Sequence, residues 1–214
     1  MPEESEFRDY LQGFMRELVP KPLRDKQVQV FRGIFDLDDY DFSDAKVQLV
    51  ASVNGRLHDS SLYGTKRIAH QLKSRQILLG DKCKIWCQAS SIGKVWPRFL
   101  QGFYYDLTGS IVSQERINDR FGLIYPTESY VRKSHLGIYG CECCHLKTSI
   151  YSQSNFPRGS FYRLEPRIPG FDRVVSHSKM IVATRDEKGA IDDDTLIYFG
   201  SHNFSSNAWG KEEK

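Results

Sequence analysis

The sequence predicts an α/β fold, with a mixed central sheet flanked by helices, and three observations predict it. Segments of β-branched or alternating apolar residues are interleaved with segments whose apolar residues recur every three to four positions. Turn residues, including Asn54-Gly55 and Gly189, punctuate the chain. The length of 214 residues, with 40% hydrophobic and 27% charged side chains, suits one well-cored domain over 1–214 and is short for two full α/β units.

The elements follow in order. Phe7, Tyr10, Leu11, Phe14, Met15 and Leu18 recur at helical spacing until Pro20 and Pro22, so the chain opens with an amphipathic helix whose apolar stripe faces the core. Residues 46–53 alternate before Asn54-Gly55, the pattern of a strand ending in a turn. Residues 63–72 read as a helix with Arg67, His70 and Lys73 on a solvated basic side. A second strand, 82–89, breaks at Ser90-Ser91-Ile92-Gly93, and a helix over 95–107 begins near Pro97. Residues 122–125 form a short strand, after which Thr127 and Glu128 can cap a helix reaching Ser134. The stretch 137–169 lacks clean periodicity and is expected to be irregular, with one weak helix near 142–151. Two last strands, 173–184 and 196–200, are joined by a polar, hairpin-like surface loop.

Composition removes several classes of function. No apolar run is long enough to span a bilayer, and the first eight residues are polar and acidic rather than a signal peptide, so a soluble intracellular protein with no membrane partner is expected. A net charge of +3 and a pI near 8.5 are only mildly basic, so a nucleic-acid partner has to be argued from local sites. The five cysteines, Cys83, Cys87, Cys141, Cys143 and Cys144, are expected to be reduced. Cys141, Cys143, Cys144 and His145 invite zinc, but four ligands within five residues cannot easily surround a tetrahedral ion, and no matching cysteine pair lies elsewhere. Small buried or half-exposed thiols are the better reading, and no metal or other cofactor is expected.

The chemistry concentrates between His177 and Trp209. Strand residues two apart share a face, so His177 and Lys179 would present an imidazole and an ammonium side by side. Ser201, Asn203 and Ser205 repeat that spacing after the next strand. A phosphate ester needs donors for its oxygens, positive charge as negative charge grows in the transition state, and a proton for the leaving oxygen. Asparagine, lysine and histidine supply these, and histidine titrates near neutrality. A lone His-x-Lys is more often a satisfied core histidine beside a strand-edge lysine. The run of small polar residues straight after a strand is what argues for a site.

His177-Ser178-Lys179-Met180, followed by Gly200-Ser201-His202-Asn203-Phe204-Ser205-Ser206-Asn207-Ala208-Trp209-Gly210, resembles the second HxK(x)nN motif of the tyrosyl-DNA phosphodiesterase I family, in the phospholipase D superfamily. Val47-Gln48-Leu49-Val50 through Gly55-Arg56, Tyr63-Gly64, Gln88-Ala89-Ser90-Ser91-Ile92-Gly93 and Leu123-Ile124-Tyr125-Pro126-Thr127 agree in order, so the resemblance runs from about Phe7 to Gly210. It implies a phospholipase D-like half-domain and a DNA-repair phosphodiesterase that removes 3′-phosphotyrosyl adducts through a phosphohistidine, in two steps and without metal. In the family one motif's histidine attacks phosphorus while the other's protonates the leaving group and then activates water. His177 resembles the general acid/base, Lys179 and Asn203 the phosphate clamp, and Ser205 a supporting donor. Ser90, Ser91 and Gly93 match a turn in the family's DNA groove, and Ser201 lies within the second motif. Phosphate contacts of this kind position a strand without reading its sequence. Trp86, Trp96 and Tyr104-Tyr105 could stack bases, although such aromatics are more often core, and Trp209 is expected to pack behind the motif.

By the same resemblance only one of the family's paired motifs, that at His177, is expected in this chain. The sequence ends at Lys214, soon after it, so the acidic residue that supports the second histidine in the family is not expected within it. The attacking histidine is expected from a complementary N-terminal half or from a second copy in a homodimer. The partners implied are single-stranded or nicked DNA 3′ ends carrying a tyrosyl peptide, and the location implied is the nucleus. The alternative is a DNA 3′-end-binding half-domain without turnover. A phospholipid-cleaving relative is disfavoured by the Asn-x-Ser-x-x-Ala-Trp-Gly ending and by the lack of an amphipathic membrane helix in the sequence.

Overall fold

Strand pairing organises the chain, and the computed structural model describes it over residues 4–19, 37–53, 62–142, 144–164 and 168–209. In chain order the elements are α1 (Glu4–Leu18), α2 (Gly64–Ser74), β1 (Lys84–Gln88), α3 (Pro97–Thr108), β2 (Phe121–Tyr125), α4 (Glu128–Lys133), α5 (Thr148–Tyr151), β3 (Phe161–Arg163), β4 (Lys179–Thr184), β5 (Leu196–Gly200) and α6 (Ser206–Trp209), with short 3-10 turns between some of them. The five strands lie in the order β3-β2-β1-β4-β5. β1 pairs parallel with β2, and β2 with β3; β4 runs antiparallel to both β1 and β5. The sheet is mixed and the fold is α/β, as the sequence predicts.

One face of the sheet carries the core. Ile85 and Cys87 of β1, Phe121 and Leu123 of β2, and Ile181 and Ala183 of β4 are all 3% exposed or less, at the alternating positions that a strand turns to one side. Ile68 and Leu72 of α2 and Leu100, Phe103, Tyr104 and Leu107 of α3 join them in a single cluster. α3 starts with Pro97 at its first position and stops at Gly109, which takes the left-handed conformation (φ 69°) open to glycine. α4 is capped as the sequence indicates, the Thr127 hydroxyl accepting from the Tyr130 amide at 3.1 Å. On the opposite face Trp86 stands edge-on to Tyr162, with centroids 4.9 Å apart. A Cβ on Gly122 would fall 2.2 Å from the Trp86 ring, so the neighbouring strand leaves room for the indole by having no side chain there.

The structure corrects several expectations. Residues 46–53 alternate but form no strand. Their backbone is tied to helices instead: the Ala51 amide donates to the Tyr10 hydroxyl and the Ala51 carbonyl accepts from the Gly64 amide. The Asn54-Gly55 turn, Pro20 and Pro22 lie outside the described residues. Arg67 is not solvated. It is 4% exposed, lies 4.0 Å above the Tyr10 ring and pairs with Glu6 at 3.4 Å, which docks α1 onto α2. The weak helix near 142–151 shrinks to α5, and β3 appears inside the stretch expected to be irregular. Finally β4 begins only at Lys179, because residues 173–178 are held by the α4 segment and by the Gln88 side chain rather than by backbone ladder pairing.

Phe204, 1% exposed, meets Phe99 and Phe103 edge-on at 5.4 Å and packs on Phe121 at 6.1 Å. Phe204→Ala should lower the unfolding free energy by about 3–5 kcal/mol through lost burial and the cavity left behind, read as a shifted midpoint in urea denaturation.

Candidate active site

Strand direction alone brings the chemistry-bearing segments together. β1 is antiparallel to β4 and β4 to β5, so the C-terminal end of β1, the N-terminal end of β4 and the C-terminal end of β5 lie at one edge of the sheet. Residues 90–93, 177–179 and 201–205 are continuations of those three ends.

Lys179 is the first residue of β4 and only 5% exposed. It is on the side-chain parity of Ile181 and Ala183, hence on the helix-covered face. Its ammonium donates to the His177 carbonyl at 2.6 Å. Among the described residues no carboxylate lies within ion-pair distance of it. His177 precedes the strand and is exposed. The hydroxyls on either side of it are fixed from behind: the Gln88 amide donates to Ser176 at 2.6 Å and to Ser178 at 2.8 Å, and those hydroxyls lie 2.7 Å apart. Gln88 thereby joins the end of β1 to the segment that carries the imidazole.

Asn203 is directly coupled to the serine loop. Its Oδ1 accepts from the Ser91 amide at 3.1 Å and from the Ser90 hydroxyl at 3.3 Å. The loop itself is the middle strand of a small ladder. On one side Ile92 pairs with Phe204 through Gly93 N–H to Phe204 carbonyl (3.0 Å) and Phe204 N–H to Ser91 carbonyl (3.1 Å); on the other Ser91 pairs with His145 through two 2.9 Å bonds. Gly93 is required by packing, since a Cβ there would sit 2.5 Å from the Ser205 Cβ. Ser205 caps α6, its Oγ accepting from the Ala208 amide at 3.3 Å. Ser201 is exposed on the rim.

Three features of the site are not evident from the motif. His202 is wedged between Tyr198 and Trp209: its Nδ1 is hydrogen-bonded to the Tyr198 hydroxyl, which also accepts from the His202 amide, and its ring lies 4.7 Å from that of Trp209. Burial holds this imidazole below its ordinary pKa. The spacing of Tyr198, His202 and Trp209 around a strand end is the only sequence signal for it. Second, His177-Ser178-Lys179 is not the only His-x-Lys triplet in the sequence, because His145-Leu146-Lys147 is another, without the polar continuation that runs from Gly200 to Gly210. Third, an open groove between α1, residues 46–52 and β5 takes in Ser201, Asn203 and Ser205 but neither His177 nor Lys179, so most of its space lies to the side of those two residues.

Trp209 is 3% exposed and packs on Phe103 and Tyr198, behind the motif as expected. Tyr104 is core, its hydroxyl bound to the Asp81 carbonyl, whereas Tyr105 and Trp96 are exposed. Burial pushes the Cys83 thiol up to about 12, leaving it a poor nucleophile. Cys141 and Cys144 are half-buried, and Cys143 lies outside the described residues. Among the described residues no three His, Cys, Asp or Glu side chains gather closely enough to hold a metal ion.

Comparison with known proteins gives one family. The family model described as tyrosyl-DNA phosphodiesterase matches residues 2–214. Tyrosyl-DNA phosphodiesterase 1 of Drosophila melanogaster is 24% identical over 212 residues, covering 94% of this chain and 36% of the fly protein. A crystal structure of a yeast tyrosyl-DNA phosphodiesterase mutant in which histidine is replaced by asparagine superposes with a TM-score of 0.68 at 19% identity, covering 98% of this chain and 52% of the other. A yeast mutant with histidine replaced by alanine gives 0.67 at 20% identity, with the same coverage. The chain therefore spans about half the length of these yeast structures and about a third of the fly relative.

Two outcomes test the geometry. Gly93→Ala should push the ladder away from Ser205 and separate Asn203 from Ser91, costing about 1–3 kcal/mol of stability and broadening or shifting the Asn203 side-chain amide signal in NMR. For His202 the folded pKa is depressed, so its stability contribution is complete above the unfolded value of about 6.5 and is lost as pH falls below it toward the folded value. Between about pH 7.5 and 5.5 the urea midpoint of the wild type should therefore fall more steeply than that of His202→Phe.

Proposed function

The chain belongs to the tyrosyl-DNA phosphodiesterase family, and from that premise we propose that it supplies the proton-transferring, phosphate-holding side of a phosphodiesterase that hydrolyses 3′-phosphotyrosyl DNA adducts. The observation that carries this reading is Lys179, a 5% exposed ammonium with a carbonyl partner and no carboxylate near it among the described residues. A cation buried without a counter-ion is costly, and an anion entering beside it recovers that cost. A phosphate fits, because the adjoining groups are donors: the Ser91 and Asn203 segment with its Oδ1 already engaged as acceptor, leaving the amide nitrogen for a phosphate oxygen.

In the proposed cycle a histidine of the complementary motif attacks phosphorus. A phosphorus–nitrogen bond forms, the bond to the tyrosyl oxygen breaks, and His177 gives its proton to that oxygen. Water then attacks the phosphohistidine; His177 takes the water's proton, the phosphorus–nitrogen bond breaks and the 3′-phosphate leaves. Lys179 and Asn203 bind the phosphate oxygens through both steps, where growing negative charge is best held by fixed donors in a site of low dielectric. Histidine, lysine and asparagine meet these needs without calling for a metal. Ser90 and Ser91 hold Asn203 in register, while Ser201 and Ser205 line the approach of the strand. The complementary motif comes from an N-terminal half or a second copy of the chain, and a nuclear location accompanies the repair role.

The test is release of tyrosine from a 3′-phosphotyrosyl oligonucleotide in EDTA by the chain with a supplied first-motif half, and by the chain alone. Turnover should survive EDTA. His177→Ala should slow it by about 100- to 10,000-fold, whereas Lys179→Ala should weaken 3′-phosphate binding as well. Binding of the 3′ end with no tyrosine release in any combination would instead leave an end-binding module without turnover.

A further inference from the structure

We propose that His145 and Lys147 form a second phosphate-binding station, which takes the DNA backbone one step beyond the clamp at Lys179 and Asn203. The proposal rests on the reading of that clamp as a phosphate site. Its observation is the ladder. Paired residues in a ladder share a face and successive residues alternate. Ile92 and Phe204 are paired, and both are buried, at 4% and 1% exposure. Ser91 and His145 are the next pair, so they occupy the opposite, outer face, as does Asn203, which precedes Phe204 and binds the Ser91 amide. His145 is accordingly exposed one strand spacing, about 5 Å, from Ser91.

Lys147 shares that outer face. Leu146 turns inward and packs against the core cluster, which leaves its neighbours His145 and Lys147 both exposed. Neither side chain has a hydrogen-bond or ion-pair partner among the described residues. An unpartnered imidazole and ammonium, held rigidly by backbone bonds beside a serine loop that faces the clamp, suit the next phosphate of a single strand. Such contacts give affinity without sequence preference and raise the salt dependence of binding.

The experiment compares two ligands, thymidine 3′-phosphate and a hexathymidylate with a 3′-phosphate, binding to the 214-residue chain and its variants. Circular dichroism checks that each variant is folded. Lys147→Gln and His145→Gln should each weaken the hexanucleotide several-fold, and Lys147→Gln should lower the slope of log affinity against log salt by about 0.7. Thymidine 3′-phosphate, which occupies the clamp alone, should bind each variant as it binds wild type. Unchanged hexanucleotide affinity in both variants would overturn the station and leave the clamp standing. So would equal losses for both ligands, which would place these residues at the first phosphate. If wild type binds neither ligand, the clamp falls and the station with it. A phosphoryl adduct on His145 after incubation with a 3′-phosphotyrosyl oligonucleotide, seen by intact and peptide mass, would overturn the binding role by making this histidine the attacking group.

Discussion

The pairing of Ile92 with Phe204 is the constraint on which the rest of the site depends. Phe204 is an aromatic hub between Phe99, Phe103 and Phe121, and its backbone is bonded on one edge to Ser91 and Gly93. Once that ring is in the core, chain alternation leaves little freedom for its neighbours. Asn203 must turn outward onto the Ser91 amide, and Ser205 must sit against Gly93, where its hydroxyl caps the last helix. Hydrophobic burial, which is non-directional, is in this way converted into the position of a polar side chain. The same pairing explains why residue 93 is glycine. Ladder bonds and a bulky partner strand cannot coexist there with a Cβ.

Two buried lysines differ in how their charge is answered within the fold. Lys84 is 8% exposed and donates to the Asp119 carbonyl at 2.6 Å, much as Lys179 donates to the His177 carbonyl. Burial pulls the pKa of Lys84 down, while the nearby charges of Asp119 and Glu187 push it back up and that of Arg120 opposes them; the ammonium also lies 5.3 Å from the Trp86 ring centroid. Its charge is answered from within the fold. Around Lys179 a carbonyl dipole is the only partner among the described residues, and no full negative charge opposes it. A carbonyl relieves desolvation without neutralising charge.

Those parts of the fold that were legible in the sequence are the ones whose pattern and environment agree. β1, β2, β5 and α3 combine periodic apolar residues with a capping proline, a glycine stop or a clear strand end, and each lies where its pattern says. Residues 46–53 have a strand's pattern without a neighbour to pair with, and pairing is a property of the whole chain rather than of the segment. β3 is three residues long, too short to show a period. Arg67 reads as a surface cation, but a ring from α1 and the Glu6 carboxylate cover it, and both lie about 60 residues away in sequence. In the site, the types and spacing of His177, Lys179 and Asn203 were visible, whereas the Gln88 clamp, the His202 wedge and the face shared by Ser91 and His145 come only from strand register.

The two His-x-Lys triplets differ in the residue between the pair, and that residue goes with where each lysine sits. In His177-Ser178-Lys179 the middle hydroxyl turns to the back of the sheet and is held by Gln88, so the segment enters β4 and carries Lys179 into the protein beneath the His177 carbonyl. In His145-Leu146-Lys147 the middle side chain is apolar and packs against the core, so both flanking side chains remain at the surface. A buried ammonium is fixed in place and costs solvation. An exposed ammonium is screened by salt and keeps its side-chain freedom. The same three-residue pattern thus buries its lysine where a polar middle residue is anchored from behind, and leaves its lysine exposed where an apolar middle residue packs inward.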